Sequence, residues 1–520
     1  MAVDGSTCVM RICGHQLYVF IPRMFEAVIA PVRAALTALT TQREGSKYKK
    51  VPMECYSLSN REEGFEILTY TGLSGIVKSV LDLHNIPYKA CEVVVGKDKS
   101  EKVYRLDNLI LLKPLALPRL SEVIGSFREW QLDALPLICN SRMGVISVAT
   151  GGGKSYFVSR MCYAASDCKI LVHTAEVPDL QVLYHDIMGL GLDVTWVKGP
   201  IRSSQTCCRI FCCTTQSVHH CSGMQFDICF GDEVQKLASK VYRSSMWNVY
   251  SRRTFGFSAT VGNRADKQDM MVMGQFGPIL LERTYQQNQN AGDIVPIYVR
   301  RITTTIDPKT KQKVNSRDPA IRYRHLIVRN HNRNQEFANV VKHYLEQGHQ
   351  VLVVTSTVEH ALRMAALLPE DTVACYRSVD DRVKKMLMKE RIWRPTFKDS
   401  YSNKDMMQAI DDFASGRTRV AVSNRVWWKA KNFPRLFVLA RLDAINTYEA
   451  AVQIAGRLSR RCPEIGKTHG LLIDGLDEFD NSTKRNSANR SKIYTKLGWK
   501  SWEELTVMKG GESETQLSLF

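Results

Sequence analysis

From about residue 121 onward, the chain alternates short apolar runs with helical patterns. In the first half of this region, apolar runs that read as strands lie at residues 144–150, 169–175, 209–215, 227–233 and 254–260. In the second half, such runs lie at residues 350–356, 372–378, 418–424, 435–441 and 468–474. Strands that alternate with helices predict parallel sheets with crossover connections. We therefore predict two α/β halves of similar pattern, without an internal sequence repeat.

The first 120 residues have a different pattern. Strands are predicted at 17–22, 47–58 and 64–70, and helices at 25–39 and 73–86, where apolar residues recur at helical spacing. This mixture predicts a small α+β accessory module. We therefore predict five parts of the chain: the module at 1–120, the first α/β half at 121–295, a linker at 296–325, the second α/β half at 326–500 and a polar tail at 501–520. Within the linker, residues 303–316 could form a charged hairpin.

A glycine run followed by a lysine and a serine lies between a predicted strand and a predicted helix. Its residues are Thr150, Gly151, Gly152, Gly153, Lys154 and Ser155. Backbone N–H groups and a helix amino terminus can hold phosphates at such a turn. Lys154 would reach the β and γ phosphates, and the Ser155 hydroxyl would hold Mg²⁺. The pattern predicts an ATP site, although Ala149 stands where the usual pattern has its first glycine.

Two adjacent acidic residues end another apolar run. Asp232 would hold Mg²⁺, directly or through water, and Glu233 would accept a proton from the attacking water. A solvated turn that carries two acids is the other interpretation. The order along the chain favours the metal site, because the pair follows Lys154 and comes before Ser258, Ala259 and Thr260.

Near the end of the second half, Arg457 and Arg460 are three residues apart. On a helix they would share a face, and both could stabilise negative charge on the γ-phosphate. A basic helix surface explains the same spacing equally well.

Composition narrows the choice of partners and of cell compartment. Lys and Arg total 71 against 52 Asp and Glu, a formal charge of +19, which favours a polyanionic partner. The 15 cysteines are scattered and odd in number, as in a reducing cytosol. The cysteines at 207–221 include no CxxC pair, so we interpret 209–215 as a buried strand; a zinc site is the alternative. No apolar run reaches the ~20 residues of a membrane span, and the amino terminus lacks a signal-peptide layout.

Taken in order, these motifs resemble those of superfamily 2 helicases and translocases. Residues 149–155, 232–235, 258–260 and 453–461 are similar to motifs I, II, III and VI, and residues 127–135 to the adenine-reading motif that precedes them. The resemblance covers roughly residues 121–500. It implies two RecA-like lobes with ATP between them and nucleic acid across their tops.

The resemblance also assigns roles to single residues. Gln131 would recognise adenine, Arg128 would add to the ATP site, and Gln453 would act in catalysis with the arginine pair. Motif V usually reads Gly-x-Asp-x-Pro, whereas residues 430–434 read AKNFP. Asn432 keeps hydrogen-bonding capacity but lacks the charge, which puts the usual coupling role of this motif in doubt.

Contacts to nucleic acid follow from the same resemblance. Thr174 and Gln181 resemble motif Ia, and Thr215 and Gln216 resemble motif Ib; in the family these motifs contact the nucleic-acid backbone. Trp427 and Trp428 could stack on bases or lie in the core. The basic runs at 382–394 and 483–492 could follow backbone phosphates or form solvated helix faces.

Within the superfamily, residues 331–341, 456–479 and 489–499 resemble the XPB/UvsW-like group of DNA helicases, which includes phage branch-migration helicases. That resemblance implies an ATP- and Mg²⁺-dependent DNA helicase acting on forked, bubble or branched DNA in replication, recombination or repair. The alternatives are a duplex translocase without strand separation, a DNA-binding module with a decayed ATPase, and an RNA helicase.

The last five residues resemble the pentapeptide that binds the bacterial sliding clamp. Leu517, Leu519 and Phe520 would fill an apolar pocket and Gln516 would supply polar anchoring, on a Gly-Gly tether. A terminal strand packed on its own domain is the other interpretation. The expected location is a bacterial or phage-infected host cytoplasm, and we expect a monomer without a membrane partner.

Overall fold

The computed structural model describes residues 6–13, 15–44, 47–95, 101–106, 114–237, 246, 249–259, 269–308, 310, 314, 318–424 and 433–504. The chain forms two compact units. The first contains Met1–Ala149 and Gly153–Arg283, and the second contains Thr150–Gly152 and Thr284–Phe520. Within the described ranges, every helix is too short or too polar to cross a membrane.

The first unit begins with a mixed sheet. The strands of this module are β1 (Cys8–Cys13), β2 (Gln16–Pro22), β3 (Thr37–Glu44), β4 (Lys47–Glu54), β5 (Tyr56–Asn60), β6 (Gly64–Tyr70), β7 (Tyr88–Val95) and β8 (Glu101–Leu106), and its helices are α1 (Ile29–Ala35) and α2 (Ser74–Leu83). Six strands lie in the order β5-β6-β2-β1-β7-β8, and β3 and β4 form a separate two-stranded sheet. Only the β1–β7 pair is parallel. Along β1, Cys8, Met10 and Ile12 are fully buried, so one face of the sheet lies in the core.

The rest of the first unit is a parallel sheet with helices. Its strands are β9 (Met143–Val148), β10 (Ile170–Thr174), β11 (Val194–Val197), β12 (Ile210–Thr214), β13 (Gln225–Asp232), β14 (Tyr250–Ser258) and β15 (Ile279–Arg283), and its helices are α3 (Glu129–Asn140), α4 (Lys154–Ala164), α5 (Val177–Met188) and α6 (Asp269–Phe276). The strand order is β11-β12-β10-β13-β14-β9-β15. Every residue of β10 and β12 is buried, because helices cover both faces of a parallel sheet.

The amino-terminal module packs against α6 of this lobe. Tyr70 lies against Gly274, and a Cβ at Gly72 would lie 2.1 Å from the carbonyl oxygen of Met273. The sulfur atoms of Cys55 and Met271, both buried, are 3.5 Å apart. Apolar residues of the module and of the lobe therefore share one core.

The second unit has a parallel sheet of the same size. Its strands are β16 (Ile297–Thr303), β17 (Val351–Val354), β18 (Val373–Cys375), β19 (Val420–Ser423), β20 (Val438–Arg441), β21 (Gly470–Leu476) and β22 (Lys500–Ser501), in the order β18-β19-β17-β20-β21-β16-β22. The helices are α7 (Tyr285–Asn290), α8 (Pro319–Tyr323), α9 (His331–Glu346), α10 (Val358–Ala365), α11 (Asp381–Lys389), α12 (Asn403–Ala414), α13 (Tyr448–Ala455) and α14 (Asn481–Lys496). The predicted fold class, two RecA-like α/β lobes preceded by a small α+β module, is confirmed.

Two predicted elements of the amino-terminal module differ from the structure. The helix predicted over 25–39 is shorter, because a 3₁₀ turn (Arg23–Val28) precedes α1 and β3 begins at Thr37. Threonine is β-branched, and the threonines after Leu36 favour a strand. The single strand predicted over 47–58 is interrupted at Cys55 and forms β4 and β5.

The linker predicted over 296–325 contains β16, an interior strand that pairs with β21 and β22. Its first three residues, Ile297, Tyr298 and Val299, are buried, which an apolar start predicts for an interior strand. Of the hairpin predicted at 303–316, residues 304–308, 310 and 314 are not in strands, and the others after Thr303 lie outside the described residues.

Buried charges lie at the carboxyl end of the second sheet. Arg333 on α9 and Arg490 on α14 are fully buried. Arg333 donates to Asp477 at 2.7 and 3.2 Å, and Arg490 donates to Asp474 at 2.9 Å and to Asp477 at 3.2 Å. Burial alone would raise the pKa of both acids, but these guanidinium groups hold the pKa of Asp474 and of Asp477 below the usual range.

Removing one partner of this network should destabilise the protein strongly. Arg333→Met would leave Asp477 buried without one of its two cations, so we expect the free energy of unfolding to fall by about 3–5 kcal/mol. The matched control is Arg417→Met, because Arg417 pairs with Asp412 at 2.6 Å while 66% exposed; this change should cost less than about 1 kcal/mol. Urea denaturation measures both, and equal losses would contradict the assignment.

Candidate nucleotide site

The glycine run connects β9 to α4. Gly151 and Gly153 have φ angles of 86° and 91°, a left-handed conformation that glycine adopts without strain. Gly153 is the N-cap of α4, and Lys154 is the first residue of the helix. The first N–H groups of an α-helix have no partner within the helix and point out of its first turn, as phosphate binding requires.

Lys154 and Ser155 connect this loop to the end of β13. Lys154 is buried, and its Nζ donates to the carbonyl oxygen of Val148 at 3.0 Å. Ser155 Oγ donates to Asp232 Oδ2 at 3.1 Å. The structure thus brings the adjacent Lys154 and Ser155 to a carboxylate that lies 77 residues away from Ser155 in sequence.

Asp232 is a buried carboxylate at the last position of β13. Burial, and next the charge of Glu233, raise the pKa of Asp232 to about 7, and Lys154 lowers it only in part. A hydroxyl and a carboxylate oxygen are ligands that Mg²⁺ prefers, and a cation there would offset the cost of the buried charge. Ser155 and Asp232 therefore fit a Mg²⁺ ion.

Glu233 has the left-handed φ of 53°, which is uncommon for a residue other than glycine. Strained residues of this kind concentrate at functional sites. The side-chain amide of Gln235 donates to Glu233 Oε2, and Ser258 Oγ donates to Gln235 Oε1. Because Gln235 and Ser258 are buried, this chain of hydrogen bonds holds the Glu233 carboxylate in one orientation.

An ion pair lies on the other side of the same turn. Lys236 Nζ is 2.8 Å from Asp179 Oδ2 on α5, and both side chains are largely buried. Burial alone would lower the pKa of Lys236, but the charges of Glu233 and Asp179 raise it. Burial also raises the pKa of Asp179, against the effect of Lys236. The turn after Asp232 is therefore held from α5 as well as from β14.

Gln131 lies on α3 and is fully buried. Its Oε1 accepts from the backbone N–H of Arg128 at 2.9 Å, and its Nε2 donates to the carbonyl oxygen of Gly153 at 3.1 Å. Arg128 is the N-cap residue of α3. Both residues predicted to bind ATP in this segment thus adjoin the phosphate loop.

Of the residues predicted to contact nucleic acid, the two threonines lie at the carboxyl ends of the neighbouring strands β10 and β12. Thr174 ends β10, and its carbonyl oxygen accepts from the N–H of Thr215 at 2.9 Å. Both threonines are buried, and the Thr174 hydroxyl donates to the carbonyl oxygen of Glu176. Gln181 on α5 and Gln216 after β12 are exposed. Their amide groups are accessible at this edge of the sheet.

The arginine pair lies in the second unit, after α13. That helix contains Gln453 but ends at Ala455, so Arg457 lies in a turn and Arg460 follows it; the predicted helix over both arginines is wrong. Gly456 follows the last helical residue, and its carbonyl oxygen accepts from Ser459 Oγ at 2.6 Å, which stabilises the turn. The Arg457 guanidinium lies 5.8 Å from the ring centroid of Phe433, next to the altered motif. Burial lowers the pKa of Arg460 to about 10.

Several predicted residues lie outside the described part of the chain. They are Thr260, Trp427, Trp428, Ala430, Lys431, Asn432, Gln516, Leu517, Leu519 and Phe520.

In the described part, no group of three or more His, Cys, Asp or Glu residues could hold a metal ion. Cys212 and Cys213 are buried in β12, as interpreted, while Cys207 is exposed before it.

Sequence reasoning included Gln235 only as part of the motif at 232–235, without a role, and missed Asp179 and Lys236. Gln235 and Lys236 follow Glu233 by two and three positions, which was a local signal for both. Asp179 offered no such signal, because only the packing of α5 beside β13 brings its carboxylate to Lys236.

Comparisons with known proteins find similarity in structure and none in sequence. No protein-family model matches the chain, and no curated protein matches it significantly. T4 UvsW is 12% identical over 95% of this chain and 98% of its own, with a TM-score of 0.38. Dbp5 from S. cerevisiae, bound to RNA and ADP BeF3, is 14% identical over 76% of this chain and 96% of its own, with a TM-score of 0.48.

A third similar structure is LlaBIII, an ATP-dependent Type ISP restriction-modification enzyme bound to DNA. It is 13% identical over 81% of this chain, with a TM-score of 0.45, and this chain spans 32% of its length. With such identities and TM-scores, the likeness concerns the fold alone.

The raised pKa of Asp232 predicts a dependence of stability on pH. An unfolded Asp has a pKa of about 3.9, whereas that of Asp232 is about 7. Protonated Asp232 therefore stabilises the folded state fully when the pH is below the pKa of an unfolded Asp. This stabilisation is lost as the pH rises through about 7. In EDTA and without nucleotide, Asp232→Asn should melt above the wild type at pH 8, and the difference should shrink toward pH 4. Mg²⁺ should raise the melting temperature of the wild type only; parallel melting curves would refute the assignment.

Proposed function

We propose that this protein is an ATP-driven motor that unwinds and remodels forked, bubble or branched DNA. The observation that carries the proposal is the contact between Ser155 Oγ and Asp232 Oδ2 at 3.1 Å. It joins a glycine-rich phosphate loop to the two acids that motors of this kind use for metal binding and for water activation. The resemblance of the sequence motifs to superfamily 2 supports the choice of a helicase over other ATPases.

In the proposed mechanism, backbone N–H groups of the glycine run and Lys154 hold the phosphates of ATP, while Gln131 and Arg128 contact the adenine. Mg²⁺, when bound at Ser155 and Asp232, would neutralise charge that develops on the phosphate oxygens. Glu233 is the base that accepts the proton of the attacking water. The hydrogen bonds through Gln235 to Ser258 hold its carboxylate in one orientation for this step.

Three further residues are proposed to take part in the reaction. Arg457 and Arg460 would stabilise the γ-phosphate in the transition state, and Gln453 is proposed to act with them. Phe433 holds Arg457 from the segment that resembles motif V, which supports a role of that segment in positioning Arg457 despite the missing acid.

The nucleic-acid strand is proposed to lie along the carboxyl edge of the first parallel sheet, at Thr174, Thr215, Gln181 and Gln216. The formal charge of +19 favours such a polyanion. DNA is proposed over RNA from the resemblance to the XPB/UvsW-like group. We also propose the limits 1–120, 121–295, 296–325, 326–500 and 501–520 for the parts of the chain.

The carboxyl-terminal pentapeptide is proposed to tether the motor to a bacterial sliding clamp. Leu517, Leu519 and Phe520 are the apolar anchors and Gln516 the polar one. A monomer that works in a bacterial or phage-infected cytoplasm fits this tether and the unpaired cysteines.

ATP hydrolysis should depend on the two residues that bind phosphate and activate water. Lys154→Ala should lower DNA-stimulated kcat/KM by at least about 100-fold, because it removes the positive charge that stabilises the phosphate during transfer. Glu233→Gln should lower kcat by about 100- to 10,000-fold, since it removes the general base. Lys198→Ala is the control, because Lys198 is exposed and distant in sequence from every motif. DNA-stimulated turnover that survives both changes would disprove the proposal.

The choice of nucleic acid separates the remaining alternatives. Unwinding and ATPase activity measured on single-stranded, forked, bubble and four-way DNA should be highest on branched substrates. Displacement of a triplex strand without fork unwinding would indicate a duplex translocase. Stimulation by RNA alone would indicate an RNA helicase, and DNA binding without hydrolysis a decayed ATPase.

Deletion of Gln516 to Phe520 should abolish binding to the sliding clamp and leave the ATPase rate unchanged. The reason is that this segment contains none of the residues proposed for the ATP site. Surface plasmon resonance on an immobilised bacterial clamp measures the loss, with Ser518→Ala as the control for a non-anchoring position. Unchanged clamp binding would refute the tether.

A further inference from the structure

A cavity of about 550 Å³ opens in the second unit, at the carboxyl edge of its sheet. Ala444 and Asp477 line it, shortly after the ends of β20 and β21. Ligands of parallel α/β sheets bind outside the carboxyl ends of the strands, and the volume is within the range of about 300–1,000 Å³ found for small-ligand sites. None of the residues proposed for ATP or for the carboxyl edge of the first sheet lines this cavity, whereas Thr483, Asn486 and Arg490 come from the basic run at 483–492.

One side of the cavity is apolar and rigid. Leu326, Ile327 and Ala444 are buried and form a small core cluster, and the ring of Tyr323 packs against it half-buried. The Tyr323 hydroxyl donates to the carbonyl oxygen of Asp443 at 2.8 Å, which fixes the ring. An aliphatic and aromatic surface of this kind fits the face of a planar ring.

The backbone of this wall is held in an unusual conformation. Ala444 has a φ of 52°, which costs energy for a residue with a Cβ. Arg490 NH1 donates to the Ala444 carbonyl oxygen at 3.1 Å, and Arg490 is itself held by Asp474 and Asp477. The buried ion network thus supports one wall of the cavity.

The polar part of the lining includes the first half of α14. Ser482, Thr483 and Asn486 line the cavity from this helix. Asn486 Oδ1 accepts from Asn446 Nδ2 at 2.8 Å, which orients the Asn486 amide. A fixed amide offers a donor and an acceptor to the edge of a nucleobase.

The helix that carries this polar lining is basic on its exposed side. Helix α14 contains five basic residues and no acidic one (NSTKRNSANRSKIYTK), and its Lys484 and Arg485 are exposed and do not line the cavity. Within the lining, Arg322 is paired with Asp480 and Arg490 with Asp477. Lys484 lies 4.0 Å from Glu478, and this exposed pair is weak. An anionic group is therefore favoured outside the cavity, along the exposed side of α14.

We propose that this cavity receives one unstacked base of a nucleic-acid strand, with the adjacent phosphates on Lys484 and Arg485. The inference rests on the proposed function, because it supposes that a strand is bound at the carboxyl edge. Such a pocket would grip the strand at a point outside the helicase motifs and would hold it in register between steps. A free mononucleotide offers the same ring and phosphate, so the experiment must separate the two sources.

The experiment measures binding of full-length protein to a fluorescent oligothymidylate and to the same oligomer with one abasic unit moved along it. The wild type should bind about five-fold or more weakly when the abasic unit occupies the pocket position, because one stacked base is lost. Asn486→Trp fills the cavity and should remove this difference. Asn489→Trp, a half-buried position of the same helix that does not line the cavity, should retain it.

Thermal melting checks that each variant folds, and Ser482→Trp, at an exposed lining position, serves if Asn486→Trp does not. Lys484→Ala with Arg485→Ala should lower the salt dependence of binding by up to about two phosphate contacts. An abasic penalty that persists in the folded, filled variant overturns the pocket. If free thymidine monophosphate displaces the oligomer from the wild type but not from Asn486→Trp, the ligand of the cavity is a mononucleotide, and the proposal of a nucleic-acid strand is overturned.

Wild-type binding that is indifferent to every abasic position would overturn the pocket and leave the proposed motor function standing. Absence of all strand binding by the wild type would overturn both.

Discussion

Covering both faces of a parallel sheet is the constraint on which the rest of this structure depends. The interior strands of each seven-stranded sheet are mostly apolar on both sides, and helices bury them. Polar side chains can therefore gather only where the strands end. In the first unit, three neighbouring β-strands end at Thr174, Thr214 and Asp232. This register places the candidate metal site beside the residues that are candidates for binding nucleic acid.

The same edge concentrates charge that is costly without a ligand. Asp232 is buried next to Glu233, and Lys154 compensates only part of the repulsion and of the lost solvation. A left-handed backbone at Glu233 adds strain. Hydrogen bonds through Gln235 to Ser258 and the ion pair of Lys236 with Asp179 hold this turn in place. A site built in this way is preorganised for a cation and for a phosphate chain.

In the second unit, buried arginines have the corresponding structural role. Arg333, Arg441 and Arg490 lie between the strand ends and the helices that cover them, and each is paired with a buried aspartate. Because unpaired charges would be very unfavourable there, this network fixes α9 and α14 relative to the sheet. It also supports the wall of the cavity at Ala444, so that the rigidity of the core and the shape of the cavity have one physical origin.

Local patterns were sufficient for much of the fold and for part of the site. Runs such as Val351–Val354 identify interior strands, and a glycine run before Lys154 identifies the start of a helix, since both depend on neighbouring residues. The pattern was insufficient where neighbours compete. Residues 25–39 became a short helix and a strand, residues 297–303 an interior strand, and the segment of Arg457 a turn.

The sequence by itself determined the fold class, the phosphate loop and the pair of acids at a strand end. Only the tertiary structure decided which distant groups meet them. Asp179 reaches Lys236, Gln131 reaches the carbonyl of Gly153, and Asn486 faces the cavity because of strand order and helix packing. The reason is that strand identity follows from short-range hydrophobic patterns, whereas these contacts join residues that many intervening positions separate.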